Sequence, residues 1–528
     1  MRNKKFRSIL YFNFIFLFLI TKGINSVTNT EIAYVKDNKQ ALKPENKFNK
    51  KRINKVKTSL EKLFDIKLED DHNIPNISIC CSGGGLRSAI ATLGALDALQ
   101  DLGLLDCATH ISALSGSTWA VMPWMIENKP IKEFKYEFIS RLGELNKIRE
   151  TSNLNPAKFK KMYDFFIGTQ HIFNQIKKNK AEFGQSVNLI DWYGIILSDL
   201  LLNRSKPEQS AFTLSDIAKN ISPANYPLPI FTAVTQFKNK TYEWLEFTPY
   251  TVGCSIIDSY IPTWAFGRKF MDGKSISFAP ESQVGYLMAI FGSAFCPSLK
   301  DLFHKISIMK LPEKLQSFFY SMETKISTHK WGNRKFAVAQ VANYTFGTQN
   351  AITKNPKMSV VDSGYHCNLP LQPLLSKTRK SDIIFVIDNT SQNFVQLAIA
   401  LKEAESQAKQ NGDKFPPIDY TKIKTENFCV FKDENDKECP ILIYIPLKKD
   451  PGYSKDFSPK KARFCRTSNF FYSKQEAELL AGLPEYVIKE HKDKIYNVIR
   501  DKINETIKPE ILFPTTDQMP GVERVLQG

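Results

Sequence analysis

Ile77-Ser78-Ile79-Cys80-Cys81-Ser82-Gly83-Gly84-Gly85-Leu86-Arg87, followed by His110-Ile111-Ser112-Ala113-Leu114-Ser115-Gly116-Ser117, is the stretch on which the fold is read. Ile77, Ile79 and Cys80 form a short apolar run of strand length, and Ser-Gly-Gly-Gly stops it. Leu86, Ile90, Leu93 and Leu96 then recur at helical spacing, and Gly103 stands where a C-terminal cap belongs. A second strand over 110–114 runs into Ser115-Gly116-Ser117 and a helix through Trp119 and Trp124. Strand, glycine turn, helix, strand, sharp turn, helix is a βαβ unit, which predicts an α/β fold with a central, mostly parallel sheet.

Further along, Ser359-Val360-Val361 reads as a strand ending at Asp362-Ser363-Gly364, and 383–387 as another. The stretch of about 130–355 lies between, and its first part is strongly aromatic: Phe134, Tyr136, Phe138, Phe165, Phe166 and Phe173. It is predicted as a large inserted cap on one domain over 74–528. Residues 27–73 are rich in Lys and Asn and poor in large apolar side chains, which predicts a flexible basic leader. Ahead of it, Arg2, Lys4, Lys5 and Arg7 precede an apolar run over 9–20, and Asn25 and Ser26 follow. That is the pattern of a signal peptide over 1–26, the run being short for a span of about 20 apolar residues. A secreted or envelope-associated protein is therefore expected, with an uncleaved N-terminal membrane anchor as the alternative.

The chain has 528 residues and a net charge of +18, with Lys and Arg spread rather than blocked. Such a surface suits nucleic acid, an anionic membrane or mere solubility, but no nucleic-acid reading motif is present. Nine cysteines leave at least one unpaired. Cys80 and Cys81 read as small buried hydrophobes, whereas Cys429 and Cys439 flank a polar turn and could meet across a hairpin. No CxxC or HExxH occurs, and the acidic run 433–438 lacks the Gly and Glu of a calcium loop. No metal and no cofactor is expected.

Ester hydrolysis needs a nucleophile, a base for its proton and donors for the developing oxyanion. Ser115 occupies a tight turn between strand and helix. Ala113, Ser115 and Ser117 give A-x-S-x-S in place of G-x-S-x-G, keeping the small flanks that a strained turn requires. The Gly83-Gly84-Gly85 triplet ends the neighbouring strand, and glycines there let backbone N–H groups approach a substrate oxygen. The phosphate-loop pattern is absent and Ser88 takes the last Gly of G-x-G-x-x-G, so acyl transfer fits better than nucleotide binding. For the base, His110 lies five residues before Ser115, about 16 Å along a strand and at the wrong end of the sheet. His366 follows Asp362 closely and is a candidate third member. Asp362 ends a strand and should face the sheet edge where active sites of open α/β sheets lie. A carboxylate can serve directly as general base when its surroundings raise its basicity.

The motifs Cys81-Ser82-Gly83-Gly84-Gly85-Leu86-Arg87, Leu105-Asp106-Cys107-Ala108-Thr109 and Leu114-Ser115-Gly116-Ser117-Thr118-Trp119 together resemble the catalytic domain of cytosolic phospholipase A2. Fungal phospholipase B shares much of the pattern. Tyr226-Pro227-Leu228-Pro229, Trp244 with Glu246-Phe247-Thr248-Pro249-Tyr250, Gly292-Ser293-Ala294-Phe295, Val361-Asp362-Ser363-Gly364 and Asn368-Leu369-Pro370 extend it in the family's order. The resemblance grows fainter toward Val487. It implies a patatin-like, lysophospholipase-type sheet with Ser115 as nucleophile and Asp362 as base, without histidine. It also implies an oxyanion hole at the amides of Gly84 and Gly85, and Arg87 and Arg379 on the substrate phosphate. The implied reaction is hydrolysis of fatty-acyl esters of glycerophospholipids at a phospholipid membrane or vesicle surface, with no metal in the chemistry. A lysophospholipase or phospholipase B is the second reading, and a catalytically silent membrane-binding protein the third. Ala113 departs from the family's usual Gly. A signal-like segment stands where a calcium-binding membrane module would precede the domain, so calcium-triggered docking is not carried over.

Overall fold

The computed structural model describes residues 30–68, 74–150, 172–185, 187–202, 211–237, 241–295, 329–331, 334–336, 338–390 and 394–506. Among the described residues, eleven strands form one sheet. In chain order they are Ile77–Cys81 (β1), Ala108–Leu114 (β2), Leu228–Gln236 (β3), Tyr242–Phe247 (β4), Thr251–Cys254 (β5), Ser259–Pro262 (β6), Ala339–Ala342 (β7), Lys357–Asp362 (β8), Ile383–Asp388 (β9), Cys429–Phe431 (β10) and Ile441–Pro446 (β11). The order across the sheet is β10-β11-β9-β1-β2-β3-β4-β5-β6, with β8 and its partner β7 attached to β3. The five central strands β11, β9, β1, β2 and β3 run parallel. Every residue of β1, β2 and β9 is buried, which is why they read as apolar runs rather than alternating ones. The chain is α/β, with the predicted parallel centre.

The placement of β8 could not be read from periodicity. β4 holds one edge of β3 over Phe231–Gln236. Along the other edge, β2 pairs in parallel up to Leu114 opposite Thr232, and β8 pairs antiparallel down to Asp362 opposite Ala233. The two strands therefore run toward each other along one edge of β3, and their last residues abut.

Two expectations about the domain layout are corrected. The leader predicted over 27–73 contains an ordered helix, Lys43–Phe64 (α1), packed on the domain. Phe48, Arg52, Val56 and Leu60 recur every fourth residue and are buried, a single stripe too thin to register in composition. The Arg52 guanidinium donates to the carbonyls of Leu105, Asp106, Ala108 and Ala224, so each of its nitrogens has a partner in the interior. The stretch 130–355, expected as an inserted cap, supplies β3, β4, β5, β6 and β7 to the main sheet. Of its aromatics, Phe134 and Phe138 lie in the core, and Phe165 and Phe166 fall outside the described residues.

Helix Leu86–Asp101 (α2) follows β1 and is buried from Leu86 through Leu99. It packs against Lys474–Glu490 (α4) so closely that a Cβ at Gly94 would collide with the Ala481 carbonyl. The eight described cysteines are all buried and unpaired, Cys429 and Cys439 included.

Candidate active site

β2 ends in a turn that places Ser115 at φ 51°, in the left-handed region where a side chain is strained. The chain then passes through Ser115–Ser117 into helix Thr118–Glu127 (α3). Close approach to the glycine triplet explains the small residues. A Cβ at Gly116 would collide with the Gly85 carbonyl, and one at Gly83 would lie 2.9 Å from the Ser115 Cβ. Gly84 and Gly85 adopt φ of 149° and 65°, conformations open to glycine. The second serine of A-x-S-x-S is more than small. Ser117 Oγ donates to the Ser82 carbonyl at 2.5 Å and bonds Ser88 Oγ at 2.7 Å and Thr92 Oγ1 at 2.9 Å. These hydroxyls tie the serine turn to the end of β1. Sequence reasoning missed them; the signal that could have found them was Ser88 and Thr92 one helical turn apart on the helix that follows the glycine triplet.

Where β2 and β8 meet, Ser115 Oγ donates to Asp362 Oδ2 at 2.9 Å. Asp362 Oδ1 accepts the Gly364 N–H at 2.9 Å, and the Asp362 N–H donates to Ser293 Oγ at 3.0 Å. The Ala294 N–H lies 3.4 Å from Oδ2. Ser293 and Ala294, quoted above only as a motif, thus help hold the carboxylate. Asp362 is fully buried, and burial pushes its carboxyl up to about 7 against the downward pull of the Gly364, Ser115 and Ala294 hydrogen bonds. A serine hydroxyl and a carboxylate of raised basicity in direct contact can exchange a proton without an intermediary.

Neither histidine joins them. His366 turns its ring to Trp244 and bonds Gln407 through Nε2 at 2.9 Å. The expectation of a third member there is not met, because the turn after Asp362 carries His366 away from the carboxylate. His110 bonds Thr109 and Asn49. Burial, with Arg379 and Arg52 nearby, lowers its pKa to about 3, so the ring stays neutral.

The two arginines differ from expectation. Arg379 is not at the site. Its main chain lies by Asn76 at the start of β1, the far end from Ser115. Its guanidinium, buried, is paired with Glu45 of α1 and Glu246 of β4. The basic stretch 377–380 gave no hint that two distant carboxylates claim this one cation. Arg87 is beside the glycine triplet, but the residue is 4% exposed and its guanidinium is bonded to main-chain carbonyls.

The chain matches the family model for the lysophospholipase catalytic domain over residues 77–419. It is 24% identical over 507 residues to cytosolic phospholipase A2 zeta of Mus musculus, covering 81% of this chain and 57% of that protein. It is 25% identical over 460 residues to cytosolic phospholipase A2 zeta of Homo sapiens, covering 76% and 52%. The chain thus spans little more than half the length of these curated relatives. Among solved structures it resembles human GIVD cytosolic phospholipase A2, with a TM-score of 0.70 and 21% identity over 87% of this chain and 64% of that one. The expectation of a secreted, envelope-associated or anchored protein is corrected by these relatives, which are named cytosolic enzymes. The segment 1–26 behind it lies outside the described residues, and no described helix is long and apolar enough to cross a membrane.

Proposed function

This chain belongs to the lysophospholipase catalytic-domain family, and on that premise we propose that it hydrolyses fatty-acyl esters of glycerophospholipids through Ser115 and Asp362. The observation that carries the reading is the 2.9 Å hydrogen bond from Ser115 Oγ to a fully buried carboxylate. Asp362 takes the Ser115 proton as Oγ attacks the acyl carbonyl, and the N–H groups of Gly84 and Gly85 receive the oxyanion. The C–O bond to glycerol then breaks. The departing alkoxide takes the proton from Asp362 and leaves as a lysophospholipid, with the acyl group on Ser115. Water, deprotonated by Asp362, attacks the acyl-serine, and the returned proton restores Ser115 as the fatty acid leaves. Base and nucleophile are both side chains, so turnover is expected without calcium.

Asp362 must be ionised to act, and its carboxyl is pushed up to about 7. For the free enzyme, kcat/KM should rise about tenfold per pH unit below that value and level off above it. A flat profile between pH 5 and 8 would remove Asp362 as the base. The test of function is fatty-acid release from phosphatidylcholine and lysophosphatidylcholine vesicles in EDTA. Release from either supports the reading, and the ratio decides between phospholipase A2 and lysophospholipase. Tight vesicle binding with no release would leave a lipid-binding protein.

A further inference from the structure

We propose that Arg87 is a positioning residue that shapes the glycine turn beside Ser115, rather than a ligand of the substrate phosphate. The inference rests on the hydrolytic role proposed above for Ser115. An arginine carries five N–H donors and no acceptor. Arg87 Nε–H donates to the Asn389 carbonyl at 3.2 Å. Nη1 donates to the Cys465 carbonyl and to Thr467 Oγ1, both at 2.9 Å. Nη2 donates to the Asn389 carbonyl at 2.9 Å and to the Thr390 carbonyl. All five donors are committed. A phosphate could gain them only by leaving buried carbonyls unpaired, each a substantial cost.

Those partners come from two segments distant in sequence. Asn389 and Thr390 follow β9, and Cys465 and Thr467 precede α4. The guanidinium is pressed against the turn itself, since Nη2 lies 2.6 Å from where a Cβ on Gly84 would stand. The tethered loop holds the turn from its other side. Asn368 Nδ2 donates to Thr390 Oγ1 at 2.7 Å and to the Gly83 carbonyl at 3.3 Å. The Asn389 N–H donates to Ser82 Oγ at 2.6 Å, and Asn389 Nδ2 to Thr92 Oγ1 at 3.1 Å. Arg87 thus closes a ring of contacts around Ser82, Gly83 and Gly84, which fixes where the turn's N–H groups point. Donors aimed at a developing charge lose much of their effect when displaced by a fraction of an ångström. A lysine cannot substitute, because an ammonium has three donors and no planar fork to span these acceptors.

The test compares the full chain with its Arg87→Ala, Arg87→Lys and Thr467→Val variants on two esters. One is phosphatidylcholine in vesicles, the other p-nitrophenyl butyrate, which has no phosphate. Arg87→Ala should lower kcat by about tenfold or more on both esters by a similar factor, with KM for phosphatidylcholine little changed. Arg87→Lys should not restore it. Thr467→Val removes one acceptor without touching charge. It should show the same pattern at roughly two- to fivefold, and it decides the matter if Arg87→Ala fails to fold. A loss confined to phosphatidylcholine, or its recovery in Arg87→Lys, would overturn the proposal. A wild-type chain that cleaved p-nitrophenyl butyrate but not phosphatidylcholine would overturn the substrate assignment, and the butyrate series would still decide the role of Arg87.

Discussion

Ser115→Ala and Asp362→Asn should each cut fatty-acid release by about 10⁴-fold or more, because nucleophile and base act as one unit. Ser115 and Asp362 are both buried, so neither substitution alters a surface contact. Asp362→Asn carries a second, opposite signature. The Asp362 carboxyl sits near 7 in the fold against its ordinary 3.8, so the folded protein favours the protonated acid. Between those values the native state binds a proton that the unfolded chain has released, and stability falls as pH rises from about 4 to 7. Above pH 7 the buried carboxylate costs on the order of 4 kcal/mol. Asp362→Asn should therefore raise the melting temperature at pH 8 and leave it nearly unchanged at pH 4. A variant that lost activity without that pH-dependent gain would show that burial does not set the basicity of Asp362. One that kept a tenth of the activity would move the base elsewhere.

The largest loss of stability is expected at the buried ion cluster around Arg379. Arg379 is held by Glu45 and Glu246, and all three side chains are buried. Burial alone would lower the guanidinium's pKa, but the two carboxylates hold it above the usual arginine value, while burial pushes the Glu246 carboxyl up despite Arg379. Arg379→Ala leaves two carboxylates facing each other without a cation, and breaking such a buried set typically costs about 3–5 kcal/mol. Urea denaturation should show that loss, whereas kcat of the protein still folded at low temperature should stay within about threefold of wild type. Replacing all three residues with Met and Leu should recover most of the stability. If Arg379→Ala left stability intact and raised KM for phospholipid, the arginine would belong to substrate binding after all.

The parts that could be read in the sequence are those written locally. The glycine triplet, the serine turn and the strand ending at Asp362 each announce themselves within a dozen residues, and the parallel centre follows from the βαβ order. What escaped depends on partners far apart in the chain. α1 looked like a leader because its buried stripe is a single file of residues among lysines, and because Glu45 and Arg52 are charges that composition assigns to the surface. β3 to β7 were folded into an expected cap because short strands between aromatic helices carry weak periodicity. Arg379 was misassigned because its neighbours in sequence are exposed lysines, while its neighbours in space are Glu45 and Glu246. Ser117 entered the sequence reading as a small flank and Ser88 as a missing glycine, and only the structure shows that Ser117 bonds Ser88 and Thr92.

Ser115 and Asp362 sit on strands that never pair with each other. Their separation is measured out by a third strand, at the step between Thr232 and Ala233 of β3. β3 therefore works as a ruler, and an error in the ruler is invisible in the things it measures. One residue inserted between Thr232 and Ala233 would move the two strand ends apart by about 3.3 Å. Every residue of the serine turn, the glycine triplet and the aspartate motif would still be in place. A chain with that insertion would pass any inspection of its motifs and yet be unable to pass a proton between them. Within this fold, loss of activity can be recorded in a segment that bears no catalytic residue, and β3 is where to look for it.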